Sequence, residues 1–264
     1  MKFYVFGDQK KPVLFLLPGT CCHWKRNFGA VIPLLERDFY VVCVSYDGFD
    51  ETEQALFPDM LTEAEKIEAY IQEKFGGHIC AAYGCSLGGS FVGLLIQRQR
   101  IHMDHGILGS SDLDQGGGLS ARFQARLIAK VLFRMFQKGR LPGWMQKRLD
   151  KKPPEERAYM DRMLDMFGVG SEDMSFVQKA SIRNQFYSDL VTPLEDGISV
   201  PGTVVHIFYA LKMGEQYEGR YRQHFRDPDL RRHNMRHEEL LVCDPGEWAA
   251  EVLRSCGIEQ GQGI

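Results

Sequence analysis

Short, continuously apolar runs alternate along this chain with segments whose apolar positions recur at helical spacing. Val13-Leu14-Phe15-Leu16-Leu17 is closed by Pro18-Gly19, and Tyr40 to Tyr46 ends in a polar Asp47-Gly48 turn. Ile79-Cys80-Ala81-Ala82-Tyr83 and Ile107-Leu108-Gly109 are two further runs of the same kind. Runs this short, bounded by turn residues, predict strands buried on both faces. Between them, Phe28 to Leu35 and Phe91 to Gln97 read as helix. Thr62 to Phe75 does so too, with Ile67, Tyr70 and Ile71 on one face and Thr62/Glu65 as a capping box. Strands alternating with helices at this spacing predict a mostly parallel sheet flanked by helices. The first two apolar bursts are split by Gly7-Asp8-Gln9-Lys10 and read as a hairpin.

The alternation stops near Gly116, and from there to Arg183 only helical patterns occur. It resumes with a strand over Thr203 to Tyr209, a short strand near Arg231 to Met235 and a closing helix from Pro245 to Cys256. The simplest organisation is one α/β core, residues 1–114 and 184–264, interrupted by a helical insertion at 115–183. No internal repeat or low-complexity tract is present.

Candidate chemistry centres on Gly84-Cys85-Ser86-Leu87-Gly88. A G-x-S-x-G pentapeptide says little alone; what gives it weight is a strand just before it and a helix just after it. Both are expected here, and Gly84, Gly88 and Gly89 fall where a sharp strand-to-helix turn excludes bulky side chains. Such a turn holds a serine hydroxyl above a helix N-terminus, whose field favours developing negative charge.

On these residues the chain resembles the α/β-hydrolase family over nearly its whole length. The resemblance implies that fold, with a helical cap inserted after the strand that follows the nucleophile helix, and a chain order of nucleophile, acid, histidine. It makes Ser86 the nucleophile and the Leu87 N–H one oxyanion-hole donor. The second is the Thr20 N–H in Pro18-Gly19-Thr20, where relatives often read His-Gly-x, with Cys21 close behind. The general base falls in a loop shortly before the C-terminal helix. His237, the last histidine and eight residues ahead of Pro245, fits that place, whereas His233 lies inside the short strand. The acid often stands as Gly-x-x-Asp after the penultimate strand. This chain has Ala210-Leu211-Lys212-Met213-Gly214-Glu215, a displaced pattern in which Glu215 is the first candidate. Some relatives take the acid from the strand after the nucleophile helix, which makes Asp112 or Asp114 the alternative.

Competing chemistry has weaker support. A metal site from His233, His237 and Glu238 needs a helix that the local pattern does not provide, so neither metal nor other cofactor is expected. Cys21-Cys22-His23-Trp24 lacks zinc-ligand spacing and reads as packing.

Composition narrows the setting. The chain has 264 residues, 44% hydrophobic and 25% charged, which is ordinary for a globular protein. Its 32 Lys and Arg against 35 Asp and Glu give −3, which points to no nucleic-acid partner. No apolar run approaches ~20 residues, so no integral membrane segment is expected. Seven cysteines with no CxxC pair fit a reduced, cytoplasmic location better than a disulfide framework. Positive charge is concentrated in the insertion, where Arg122, Arg126, Lys130, Arg134 and Lys138 recur every four residues. Leu127, Ile128, Val131, Leu132, Met135 and Phe136 form the stripe expected to face the core. Six of the eleven methionines lie between Met135 and Met174, which suits an adaptable apolar pocket or plain core filling. Together these features lead to a serine carboxylesterase for a small-molecule ester with an apolar, and in one version anionic, portion. The same constellation serves thioesters, amides and C–C bonds, and a ligand-binding protein of the same fold with little turnover is the reading from another class.

Overall fold

In the computed structural model, residues 1–113, 115–170 and 174–258 are described; Asp114 lies outside them. The first half runs β1 (Lys2–Phe6), β2 (Val13–Leu17), α1 (Trp24–Phe28), α2 (Ile32–Leu35), β3 (Tyr40–Ser45), α3 (Met60–Phe75), β4 (His78–Gly84), α4 (Leu87–Arg98) and β5 (His102–Leu108). Four helices follow: α5 (Gly118–Lys138), α6 (Gly143–Leu149), α7 (Pro154–Met166) and α8 (Lys179–Val191). The chain then returns to β6 (Val204–Ala210), α9 (Gln216–His224), β7 (Asp229–His233), α10 (Glu239–Cys243) and α11 (Pro245–Ser255).

The strands form one seven-stranded sheet in the order β1-β3-β2-β4-β5-β6-β7. All neighbours pair in parallel except β1, which lies antiparallel to β3 at the edge. Strand residues point alternately to the two faces, so β2 sends Phe15 and Leu17 into one core and Leu14 and Leu16 into the other. The first core is closed by α3 and α4 through Ile67, Ile71, Phe91 and Leu95. The second is closed by α1, α2 and α11 through Trp24, Phe28, Leu35, Trp248 and Val252. Burying one such large apolar side chain contributes about 1.5–3 kcal/mol, and these two layers hold the sheet rigid beneath its loops.

Four local expectations are corrected. The N-terminal bursts are not a hairpin: β1 crosses to the outer side of β3, because both edges of β2 are taken by parallel partners, β3 and β4. The cap of α3 is Asp59, whose carboxylate accepts the Thr62 N–H at 2.9 Å, while Glu65 faces Arg98 and Arg100. Phe28 to Leu35 is broken between α1 and α2, at Gly29 to Val31. On α5 the buried stripe is Ala121, Ala125, Ala129, Met135 and Phe136, whereas Leu127 is exposed together with Leu119 and Phe123. The small alanines let α5 lie against α8, and α8 runs unbroken across 183/184, where the sequence places the end of the insertion. Four of the six clustered methionines, Met135, Met163, Met166 and Met174, are buried, as core filling requires. No helix among the described residues is long and apolar enough to cross a membrane. All seven cysteines are free thiols.

Candidate active site

The carboxyl ends of β2, β4, β5 and β6 bring four loops to one edge of the sheet, the place where open parallel sheets hold their ligands. Ser86 stands between β4 and α4 with φ 49° and ψ −111°, outside the conformations a non-glycine residue normally adopts. Strain of this kind costs of order 1–3 kcal/mol and persists only where neighbours over-determine it. Here the Gly88 N–H donates to the Cys85 carbonyl at 2.7 Å and the Gly89 N–H to the Ser86 carbonyl at 2.8 Å. The turn is so tight that a Cβ at Gly84 would meet the Gly88 carbonyl at 2.0 Å. A Cβ at Gly88 would meet the Leu17 carbonyl at 2.1 Å, so α4 sits directly over the end of β2.

A buried carboxylate completes the clamp. Glu238 is 3% exposed, and its Oε1 accepts the N–H of Ser86 at 2.9 Å and of Ser110 at 2.8 Å. Its Oε2 accepts the Tyr83 hydroxyl at 2.9 Å, and its own N–H donates to Ser110 Oγ at 3.0 Å. Glu238 itself adopts a left-handed conformation, φ 53°. One side chain thus ties together β4, the Ser86 turn, the end of β5 and the loop before α10. Burial, reinforced by this charge, pushes the Tyr83 hydroxyl and the Cys85 and Cys22 thiols up. Those thiols stay protonated, so neither is a reactive thiolate.

His237 immediately precedes this anchor. It is half-buried in the loop between β7 and α10, and its carbonyl accepts the Tyr159 hydroxyl of α7 at 2.8 Å. Helix α7 therefore contacts the His237 loop and α10 directly, with Arg162 Nη1 donating to the Val242 carbonyl at 3.3 Å and Arg236 lying over the Tyr159 ring.

The loop after β2 is held as firmly. The Gly19 N–H donates to Asn27 Oδ1 at 2.8 Å, and the Tyr46 hydroxyl donates to the Pro18 carbonyl at 3.3 Å. Cys21, at φ 58°, donates its N–H to Gln185 Oε1 of α8 at 2.7 Å. That bond fixes which way the Gln185 amide faces, and its buried Nε2 has no hydrogen-bond partner among the described residues. The Cys21 amide is thus engaged, while the amides of Thr20 and Leu87 donate to no other group among the described residues. His23 is engaged as well: its Nδ1 accepts the Lys25 N–H at 3.2 Å as the cap of α1, so Nε2–H faces Glu51 at 2.7 Å.

The two candidate acids differ in surroundings. Glu215 lies at the exposed start of α9, and its carboxylate makes no hydrogen bond or ion pair among the described residues. Asp112 is half-buried two residues beyond Ser110; its carbonyl accepts Arg220 Nη1, and its charge adds to the burial that pushes the Tyr221 hydroxyl up. His233 lies on β7 with its ring edge-on to Phe208, and it forms no ligand cluster with His237 among the described residues. The five basic residues of α5 are all exposed. An open cavity of about 620 Å³ lies between α5 and α6, lined by Arg134, Lys138, Trp144 and their neighbours, and contains neither Ser86 nor His237.

Sequence reasoning passed over Glu238 as a structural anchor. Its signal was an acidic residue directly after the candidate histidine and just before the apolar Leu240-Leu241 pair.

A mostly parallel sheet of this order, with a strained serine turn between β4 and the helix that follows, defines the α/β-hydrolase fold, and this chain has it. No family model matches the chain. Solved structures that resemble the chain include an α/β-hydrolase family protein from Desulfitobacterium hafniense, at TM-score 0.76 and 17% identity, covering 96% of this chain and 99% of that one. The structure of 1H-3-hydroxy-4-oxoquinoline 2,4-dioxygenase superposes at TM-score 0.60 and 19% identity, covering 96% and 94%. The enzyme of that name from Pseudomonas putida is 40% identical over 76 residues, 28% of this chain and 28% of its own length. The chain therefore matches about a quarter of that curated relative's sequence.

Proposed function

We propose that the protein is a serine hydrolase, a carboxylesterase that cleaves an ester with an apolar portion through an acyl-enzyme on Ser86. The observation that carries this reading is the Ser86 turn: a strained serine at the N-terminus of α4, followed by the Leu87 amide, which, like the Thr20 amide in the loop after β2, donates to no group among the described residues. In the proposed reaction Ser86 Oγ attacks the carbonyl carbon while His237 takes its proton. The two amides and the end of α4 stabilise the oxyanion that forms. His237 then returns the proton to the departing alcohol, and water repeats the sequence to release the acid.

The acid that orients His237 is Asp112 or Glu215. Partial burial, and a position two residues from Ser110, whose amide shares the Glu238 carboxylate with Ser86, support Asp112. The exposed Glu215 would be screened by solvent. Tyr159 on α7, and Gln185 on α8 just past the end of the insertion as bounded in the sequence, support a role for these helices as a cap over the site, since they reach the His237 loop and the Thr20–Cys21 turn. The unpartnered Gln185 Nε2 offers a hydrogen bond to a polar atom of the substrate. An anionic portion rests on the basic face of α5 alone, as a long-range field.

A second reading comes from the local 40% identity to a dioxygenase of a hydroxy-oxoquinoline. On it, the same pocket takes a bicyclic hydroxy-ketone and consumes oxygen. One panel separates the two. Acyl esters of increasing chain length, thioesters and amides are assayed for product, and 3-hydroxy-4-oxoquinoline for oxygen uptake, each with wild type and Ser86→Ala. Ester turnover that rises with acyl length and is lost in Ser86→Ala is expected. Oxygen uptake without ester turnover would replace the first reading with the second, and preference for short cationic esters would remove the apolar specificity.

A further inference from the structure

At the edge of the sheet opposite Ser86, β4 and β5 begin side by side, with His78 directly paired to His102. Asp104 lies two residues along β5 and so on the same face as His102. The two imidazoles converge on one carboxylate oxygen: His78 Nε2 is 2.9 Å from Asp104 Oδ1 and His102 Nε2 is 3.5 Å from it. One ligating atom from each of the three residues lies within 4.8 Å of the others. Two donors, each about 2.1 Å from a common ion, stand about 3.0 Å apart at a right angle and about 3.4 Å apart at the tetrahedral angle. The two separations from Asp104 Oδ1 therefore already match edges of one coordination sphere, and the two imidazoles stand close enough to complete it with small adjustments. A single histidine–aspartate hydrogen bond needs only one of these rings, and the second is aimed at the same oxygen.

The surroundings leave room for an ion. Gly202, at φ +82°, lies against the His102 ring, and a Cβ there would come within 3.3 Å of Nε2. His102 also borders an open depression of about 570 Å³, shared with Gln72, Gly77 and Arg100, so the cluster is reached from solvent. Two imidazoles and a carboxylate form the donor set that zinc and its neighbours in the first transition row favour over calcium or magnesium.

We propose that His78, His102 and Asp104 bind a divalent transition ion of the zinc type, with water completing its sphere. The ion clamps the amino ends of β4 and β5, and the turn at Gly202 closes over it. Six strand residues at about 3.3 Å each put it about 20 Å from the Ser86 turn, so it acts on the stability of the sheet and not on the reaction. Binding to the folded chain alone raises the unfolding midpoint by mass action.

The test uses the full-length, tag-free protein dialysed against chelator and then titrated with Zn²⁺ by calorimetry, with Co²⁺ as a spectroscopic probe. One ion per chain is expected, with a Tm that rises with Zn²⁺ concentration and visible Co²⁺ bands from nitrogen and oxygen ligands. His78→Ala, at an exposed position that leaves the fold intact, His102→Ala and Asp104→Asn should each weaken binding at least tenfold and abolish the Tm response. Wild type that binds no stoichiometric ion, or single variants that bind as wild type does, would overturn the proposal.

Discussion

Glu238→Ala should leave the protein largely unfolded or inactive, with a loss of about 3–5 kcal/mol. Three donors, the half-buried N–H of Ser86, the buried N–H of Ser110 and the buried Tyr83 hydroxyl, converge on this carboxylate. Each donor left without an acceptor costs about 1–3 kcal/mol, and water has no ready access to a residue 3% exposed. That sum is a large share of the 5–15 kcal/mol that holds a typical domain together. The remaining loss falls on activity, because the strained Ser86 backbone is anchored by the same oxygen. Glu238→Gln separates the two effects. Its amide oxygen still accepts the two N–H groups, and its NH₂ donates to the Tyr83 oxygen instead of accepting from it. Denaturant unfolding should place Glu238→Gln within about 2 kcal/mol of wild type and well above Glu238→Ala. Equal stability of all three proteins would show that the carboxylate does not clamp the turn.

His237→Ala should lower kcat for the best ester by roughly 10⁴-fold or more, with KM changed little, because the base acts on the proton in flight and not on ground-state binding. Asp112→Asn should then cause a loss of about 10³-fold or more, while Glu215→Gln stays within a few-fold of wild type. The opposite pattern in the two acid variants would return the role to Glu215. A His237→Ala enzyme with wild-type kcat would remove the general base from the mechanism.

The sequence reveals the sheet because β2 and β3 are buried on both faces, which leaves a continuous apolar signature that no surface element shares. It also reveals the Ser86 turn, since a Cβ at Gly84 or Gly88 would meet backbone at 2.0–2.1 Å, which demands glycine there. The partner of β1 was not legible. Which strand an edge strand joins depends on which edges are already taken, and that is a property of the whole sheet. The core face of α5 was misread because hydrophobicity favours Leu127 over alanine, whereas close approach to α8 favours Ala121, Ala125 and Ala129. Glu238 was least legible of all. A charge in a sequence reads as surface, and its three donors come from Tyr83, Ser86 and Ser110, more than a hundred residues upstream.

The central claim is that Ser86 is a nucleophile activated by its turn. The most direct measurement is reaction of the folded protein with a fluorophosphonate, followed by mass spectrometry of the intact chain and of its peptides. One adduct per chain, on the peptide that carries Gly84 to Gly88 and on Ser86 itself, is predicted, with none in Ser86→Ala. An adduct that persists in Ser86→Ala, or a wild-type chain that acquires none, would contradict the account.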